Sequence, residues 1–249
     1  MIYKYNTFRK LNEGKNNFNH LVDYTYLKQN ATVDDIKKVC EEAIENNFYS
    51  VCIYPEMVGT AKAFLEDEDP IVCTVISFPN GDNSTNNKVK ETLKAISDGA
   101  DEIDMVFNYK KLRELATLEG DEYQDLYDEL VTDVKQVARA CHKDGVLVKV
   151  IIEVEELNYN EIKTACEICV DAGADYVKTS TGFSKTKKPF SEKVEQLKYM
   201  RKILPDYMKI KVSGGVRGKD QVDMVLPYVD RIGTSIIIDD ITKNIQGGY

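Results

Sequence analysis

The chain has 249 residues, with 42 acidic and 33 basic side chains and a formal net charge of −9. Hydrophobic residues make up 43% and charged residues 30%, the composition of a globular protein long enough to bury a substantial core. The acidic balance and the lack of a basic block argue against a general nucleic-acid binder, and no run reaches the roughly 18 apolar residues of a membrane helix.

The first residues, MIYKYNTFRKLNEGKNN, have no apolar h-region, so the expected compartment is the cytoplasm. Six cysteines (Cys40, Cys52, Cys73, Cys141, Cys166 and Cys169) in a chain of this size do not form the pattern of a disulfide scaffold. The two histidines, His20 and His142, rule out a three-histidine zinc site within one chain and leave little for a Ser-His-Asp arrangement.

Eight short apolar, β-branched runs follow one another: LVDYTYL (21–27), SVCIY (50–54), IVCTVISF (71–78), DEIDMVF (101–107), VLVKVII (146–152), DYVKTS (175–180), KIKVS (209–213) and DRIGTS (230–235). Between them, residues 32–47, 88–98, 124–142, 159–172 and 191–204 carry helical spacing. Continuous apolar runs alternating with amphipathic helices predict parallel strands buried on both faces. Gly99, Gly145 and Gly173 stand where helices hand over to strands. The pattern predicts an α/β fold, a (β/α)8 TIM barrel, formed by one domain over 1–249. Residues 1–19 would be an N-terminal extension or helix and 242–249 a C-terminal tail. A doubly wound open sheet competes, but no Gly-rich dinucleotide fingerprint follows an early strand. The acidic EDEDP at 66–70 reads as a solvated helix end.

In a parallel barrel the chemistry sits at the C-terminal ends of the strands. Lys149, Lys178 and Lys211 lie within the fifth, sixth and seventh apolar runs, about one βα repeat apart, and Asp104 lies within the fourth. Lysine is rarely buried without a partner, so three at matching heights are unlike a structural core. A free lysine titrates near ~10.4, and bringing that value to neutrality takes roughly 4 kcal/mol of differential interaction. A neighbouring cation and partial burial supply such an effect. An unprotonated lysine attacking a carbonyl forms a Schiff base, an electron sink for C–C bond cleavage that needs no metal.

Ser213-Gly214-Gly215 follows the seventh run, and Gly233-Thr234-Ser235 ends the eighth. Loops in these two places hold phosphate in many barrels through backbone N–H groups, and glycine lets an anion approach the backbone. Ser180-Thr181-Gly182 adds donors after the sixth run. Such a site is local, so a net negative charge does not oppose it.

The segments LVDYTYL, SVCIYP, GADEIDMVFN, VKVIIE, GADYVKTSTGF, KVSGGVR and RIGTS together resemble the deoxyribose-phosphate aldolase family, from about Leu21 to the C-terminus. VKTSTGF and its spacing to SGGVR are the most specific part. The resemblance implies a class I aldolase on a TIM barrel, working without metal or other cofactor. It would interconvert 2-deoxy-D-ribose 5-phosphate with acetaldehyde and D-glyceraldehyde 3-phosphate. By motif match, Lys178 is the Schiff-base lysine and Lys211 the cation that eases its deprotonation. Asp104 is the acid/base group of a proton relay, with Lys149 its partner near the carbinolamine. Gly182, Gly214, Gly215, Gly233 and Ser235 match the phosphate-binding segments, and Thr181 and Thr234 join them as substrate-binding candidates. Asp23 and Cys52 match positions at the substrate end of the pocket, with core packing the competing reading of Cys52.

The chain departs from some members after its STG segment, where Phe183 replaces a lysine and Lys185, Lys187 and Lys188 follow shortly. Gly218 stands where members often carry threonine. The last residue, Tyr249, follows Gly247 and Gly248; in some relatives a terminal tyrosine assists proton transfer, and a frayed tail is the plain alternative. Cys166 and Cys169 form a CxxC within a helical segment and read as packing. His142 suits a helix C-terminus, and His20 reads as structural or exposed. A homo-oligomer, dimer or tetramer, is compatible with these features, whereas a nucleic-acid or membrane partner is not expected. Two other readings stay open: a class I aldolase or transaldolase-like enzyme on a different sugar phosphate, and a non-catalytic sugar-phosphate-binding protein.

Overall fold

A computed structural model describes residues 18–236. Tyr249, the 242–249 segment and all but the last two residues of the 1–19 segment lie outside them. The strands are β1 (Val22–Tyr26), β2 (Ser50–Ile53), β3 (Ile71–Ile76), β4 (Glu102–Val106), β5 (Leu147–Ile151), β6 (Tyr176–Lys178), β7 (Lys209–Val212) and β8 (Arg231–Thr234). All neighbouring pairs are parallel, and the sheet closes by pairing β1 with β8. The expected (β/α)8 barrel is the observed one.

Helices α1 (Val33–Glu45), α2 (Val58–Phe64), α3 (Thr85–Ser97), α4 (Tyr109–Leu115), α5 (Gly120–Lys143), α6 (Tyr159–Ala172), α7 (Phe190–Ile203) and α8 (Lys219–Val225) form the outer layer. Local chemistry sets their ends. Thr32 and Asp35 form a capping box at α1, as Asn158 and Glu161 do at α6. Gly173 ends α6 in the left-handed conformation, φ 77°. The seven-residue helices α2, α4 and α8 have no counterpart among the predicted helices, because fewer than two turns give too little periodicity to recognise. α5 begins earlier than its spacing suggested, with Asp121 and Glu122 in its first turn and His142 and Lys143 in its last, as the helix dipole favours.

The apolar core lies between the barrel wall and the helices, where side chains such as Ile36, Ile103, Val148, Ile168 and Leu197 are fully buried. Cys166 and Cys169 belong to this layer, and burial pushes the Cys166 thiol up to about 12. The barrel lumen is different: charged side chains fill much of it.

One ion pair in the outer layer is buried as deeply as the core. Lys88 of α3 is fully enclosed, its Nζ 2.6 Å from Asp133 Oδ2 of α5, while Thr85 Oγ1 donates to Asp133 Oδ1 at 2.7 Å. Removing one partner of such a pair strands a buried charge, at about 3–5 kcal/mol, whereas replacing both with apolar groups is often neutral. Asp133→Ala should therefore lower unfolding stability by about 3–5 kcal/mol in urea denaturation, and Lys88→Met with Asp133→Leu should recover most of it. Equal losses in the single and double variants would show that the pair is not the source.

Candidate active site

Asp104 is the centre of the lumen. It is fully buried on β4, with Lys149 of β5 as its register partner, while Lys178 of β6 pairs with Lys211 of β7. Strand tilt brings these positions to one height. Oδ1 of Asp104 accepts from Lys149 Nζ at 2.9 Å; Oδ2 accepts from Lys178 Nζ at 2.6 Å and Lys211 Nζ at 2.7 Å. Cys73 Sγ also donates to Oδ1, at 3.2 Å, and Cys52 Sγ lies 4.0 Å from Oδ2.

A second layer of charge lies on the N-terminal side. Asp23 of β1 accepts from Ser50 Oγ at 2.8 Å and from Arg231 Nη1 at 2.6 Å, both through Oδ1. Lys211 Nζ lies 2.5 Å from its Oδ2, an ion contact without hydrogen-bond alignment. Glu102, two residues before Asp104 on the same strand face, lies 2.6 Å from Lys149 Nζ and accepts from Arg231 at 3.3 and 3.4 Å. The Arg231 guanidinium stacks 3.4 Å from the Tyr49 ring centroid.

Four cations (Lys149, Lys178, Lys211, Arg231) thus face three carboxylates (Asp23, Glu102, Asp104), and none is more than 3% exposed. Burial pushes the Asp104 carboxyl up, but the Lys149, Lys178 and Lys211 ammonium groups together hold it well below the usual carboxylate range. Burial works against the Lys149 and Lys211 ammonium groups, yet the carboxylates, Asp104 foremost, raise both above the ordinary lysine value. Both therefore remain cations. Among the described residues, Lys178 touches a single carboxylate, the one it shares with the other two.

Cys52, Cys73 and Asp104 also bring three potential metal-donor atoms together. The arrangement does not suit a cation, because Asp104 is already committed to three ammonium groups.

Above Lys178 the strand ends carry an aromatic rim. Phe78, after β3, meets Tyr54, after β2, at 6.0 Å between ring centroids and Phe183, after β6, edge-on at 5.1 Å. Of the lysines that follow Phe183, Lys187 donates to Ser184 O and Lys188 pairs with Glu192.

The glycine loops abut. A Cβ on Gly182 would lie 3.9 Å from Gly214 Cα, while Gly214 and Gly215 have φ of 74° and 93°, which disfavour other residues. Gly233 makes room for Lys211, whose Cε would stand 3.2 Å from a Cβ there. Thr234 is buried, its hydroxyl donating to Val216 O at 2.9 Å, and Ser235 is exposed at the rim. The polar groups of Thr181 point at Glu153: its N–H donates to Oε1 at 3.1 Å and its hydroxyl to Oε2.

The structure thus gathers Asp104, Lys149, Lys178 and Lys211 with Cys52 beside them, and sets Gly182, Gly214 and Gly215 above. Asp23 lies beneath the cluster, fully enclosed, with Ser50, Lys211 and Arg231 around it. Tyr249 is outside the described residues. Glu102, Arg231, Ser50 and Glu153 are the functional residues that the motifs do not mark; the two-residue offset of Glu102 from Asp104 places it on the same strand face, but a charge at a strand start is ordinary.

A profile described as DeoC/LacD family aldolase matches residues 18–233. The chain belongs to this aldolase family. The deoxyribose-phosphate aldolase of Caldicellulosiruptor saccharolyticus is 45% identical over 86% of this chain and 92% of its own. That of Caldanaerobacter subterraneus subsp. tengcongensis is 42% identical over 91% and 93%. A solved structure described as QR15, an aldolase, superposes with a TM-score of 0.81 at 32% identity, covering 93% of this chain and 97% of the other. As an aldolase the family member is a carbon–carbon lyase of the metal-independent class I. No helix among the described residues is long and apolar enough to cross a membrane.

Glu153 gives a pH-dependent handle on the loop after β6. Burial is the main force on its carboxyl, and with Glu155 nearby it is pushed up from 4.5 to about 7. The folded state therefore holds the proton more tightly than the unfolded chain, and this contribution to stability fades as pH rises from about 4.5 to 7. Glu153→Gln, which resembles the protonated acid, should gain on the order of 2–3 kcal/mol over the wild type between pH 4.5 and 8. Denaturation curves at both pH values check it, and a constant difference between the proteins would rule it out.

Proposed function

We propose that the protein is a deoxyribose-phosphate aldolase. It reversibly cleaves 2-deoxy-D-ribose 5-phosphate to D-glyceraldehyde 3-phosphate and acetaldehyde through a Schiff base on Lys178. The observation that carries this reading is one buried carboxylate, Asp104, reached by three strand-borne lysines in a barrel of this aldolase family.

The Lys178 amine attacks the C1 aldehyde of the open-chain sugar, and loss of water leaves a cationic imine. The C2–C3 bond then breaks with its electron pair moving to the nitrogen. The C3 hydroxyl gives up its proton and becomes the aldehyde of glyceraldehyde 3-phosphate. The enamine left on Lys178 is protonated at C2, and water releases acetaldehyde. Asp104, kept ionised by the Lys149 and Lys211 ammonium groups, is the acceptor and donor for these protons, with Lys149 holding and recharging it. Lys211 is the cation beside the nucleophile, reaching the same Asp104 oxygen as Lys178. Asp23 positions Lys211 from beneath. The Gly182, Gly214, Gly215, Gly233 and Ser235 backbone takes the phosphate, with Thr181 and Thr234 fixing those loops. Cys52 forms part of the wall beside Asp104. Tyr249 is assigned to proton transfer at C2, and its deletion followed by acetaldehyde proton exchange tests that role. The expected partner is therefore a small phosphorylated sugar, and the compartment the cytoplasm.

Borohydride added with substrate should fix a two-carbon adduct on Lys178, found by peptide mass spectrometry. Lys178→Arg should trap nothing and lose at least about a thousandfold in kcat; normal turnover in that variant sinks the assignment. Parallel rates on ribose 5-phosphate separate this reading from another sugar-phosphate aldolase. Lys211→Leu removes the ammonium that reaches the same Asp104 oxygen as Lys178. Its activity profile should move to higher pH, and an unmoved profile would mean that Lys211 does not govern the nucleophile.

A further inference from the structure

Lys193 is a lysine in an unfavourable place. It stands in the first turn of α7, where the helix dipole repels a cation, and only 6% of it is exposed. Its ammonium donates to Ser213 O at 2.7 Å, Gly214 O at 2.5 Å and Ser180 Oγ at 3.0 Å. Those three bonds use all its donors. Glu155 Oε1 lies 2.6 Å from the same nitrogen and accepts from Ser180 Oγ at 2.9 Å. Ser213 Oγ donates to Ser180 O at 2.5 Å, so the loops after β6 and β7 are knotted around one buried cation.

Peptide geometry turns this into a statement about the other side of the loop. In a trans peptide the C=O and the following N–H point in opposite directions. With the carbonyls of Ser213 and Gly214 drawn to Lys193, the N–H groups of Gly214 and Gly215 face away from it. Among the described residues neither N–H meets an acceptor. Successive N–H groups directed to one side form an anion-binding concavity. Gly214 is glycine because a Cβ would stand 3.0 Å from Lys193 Nζ and 3.1 Å from Ser180 Cβ.

We propose that Lys193, held by Glu155, is a positioning residue. Gripping two carbonyls from behind, it presents the Gly214 and Gly215 N–H groups to the sugar phosphate. It acts on the phosphate through the backbone rather than by touching it. The idea rests on the aldolase reading for its substrate, but its chemistry requires only a phosphate.

Lys193→Met keeps the stem and removes the donors. The KM for 2-deoxyribose 5-phosphate and the inhibition constant of inorganic phosphate should each rise about tenfold, while kcat changes far less than KM. Lys193→Arg should recover part of the loss. Calorimetric titration with inorganic phosphate should weaken by the same factor. This titration needs no turnover, so it decides the role of Lys193 even if the wild type proves inactive on deoxyribose phosphate, an outcome that would count against the aldolase reading alone. Equal falls in kcat and kcat/KM with unchanged phosphate binding, or no change at all, overturn the proposal. If Lys193→Met does not fold, Glu155→Gln, which leaves the Ser180 hydrogen bond possible, takes its place. It should raise KM and weaken phosphate binding with little change in kcat, and unaltered phosphate binding there overturns the proposal equally.

Discussion

A single carboxylate, Asp104, holds the lumen together. Each charged group in the interior would by itself be too poorly solvated to remain ionised. They persist because the charges interlock: Asp104 serves Lys149, Lys178 and Lys211, Asp23 serves Lys211 and Arg231, and Glu102 serves Lys149 and Arg231. The eight-stranded sheet makes this possible by presenting side chains from six different strands to one axis. No two charged groups of the cluster need come from one local segment except Glu102 and Asp104. The polar lumen is therefore a product of the closed topology, and the stability of the domain rests on the separate apolar layer between wall and helices.

The sequence revealed the barrel and the upper part of the cluster for the same reason. Lys149, Lys178, Lys211 and Asp104 interrupt apolar runs, where a charge is conspicuous. Arg231 and Glu102 do the same work one layer lower, yet they stand at the starts of their strands beside Asp230 and Asp101, where charge is ordinary. Lys193 lies in a helix rich in Glu and Lys, and nothing in its neighbours marks it as buried. Asp23 matches a pocket position of the family, and its enclosure by Arg231, Ser50 and Lys211 depends on contacts from the far end of the chain. Phe183 was legible as a departure. Its contact with Phe78, from a loop a hundred residues earlier in the chain, was not.

Three unusual positions stand at the C-terminal side of the barrel. Glu153 adopts φ 57° and Ser77 φ 51°, Glu153 buries a carboxyl that titrates near neutrality, and Lys193 opposes a helix dipole. Each breaks a local preference, and each lies in or beside a loop that follows a strand end. Conflicts of this sort concentrate where a site needs a geometry that propensity does not favour. The tie from Glu153 to Thr181 and the tie from Lys193 to Ser180 fasten neighbouring residues of one loop to different elements.

Arg231, packed against Tyr49 with Tyr176 beside it, closes the barrel at the end opposite the glycine loops. A vessel with one mouth imposes a queue. With Lys178 as the proposed nucleophile and the glycine loops as the proposed phosphate site, the two-carbon fragment would sit deeper than the fragment carrying the phosphate. The deeper fragment leaves last in cleavage and enters first in synthesis. On that reading the order of traffic would trace to a stacked arginine at the far end of the barrel, well removed from any bond that breaks.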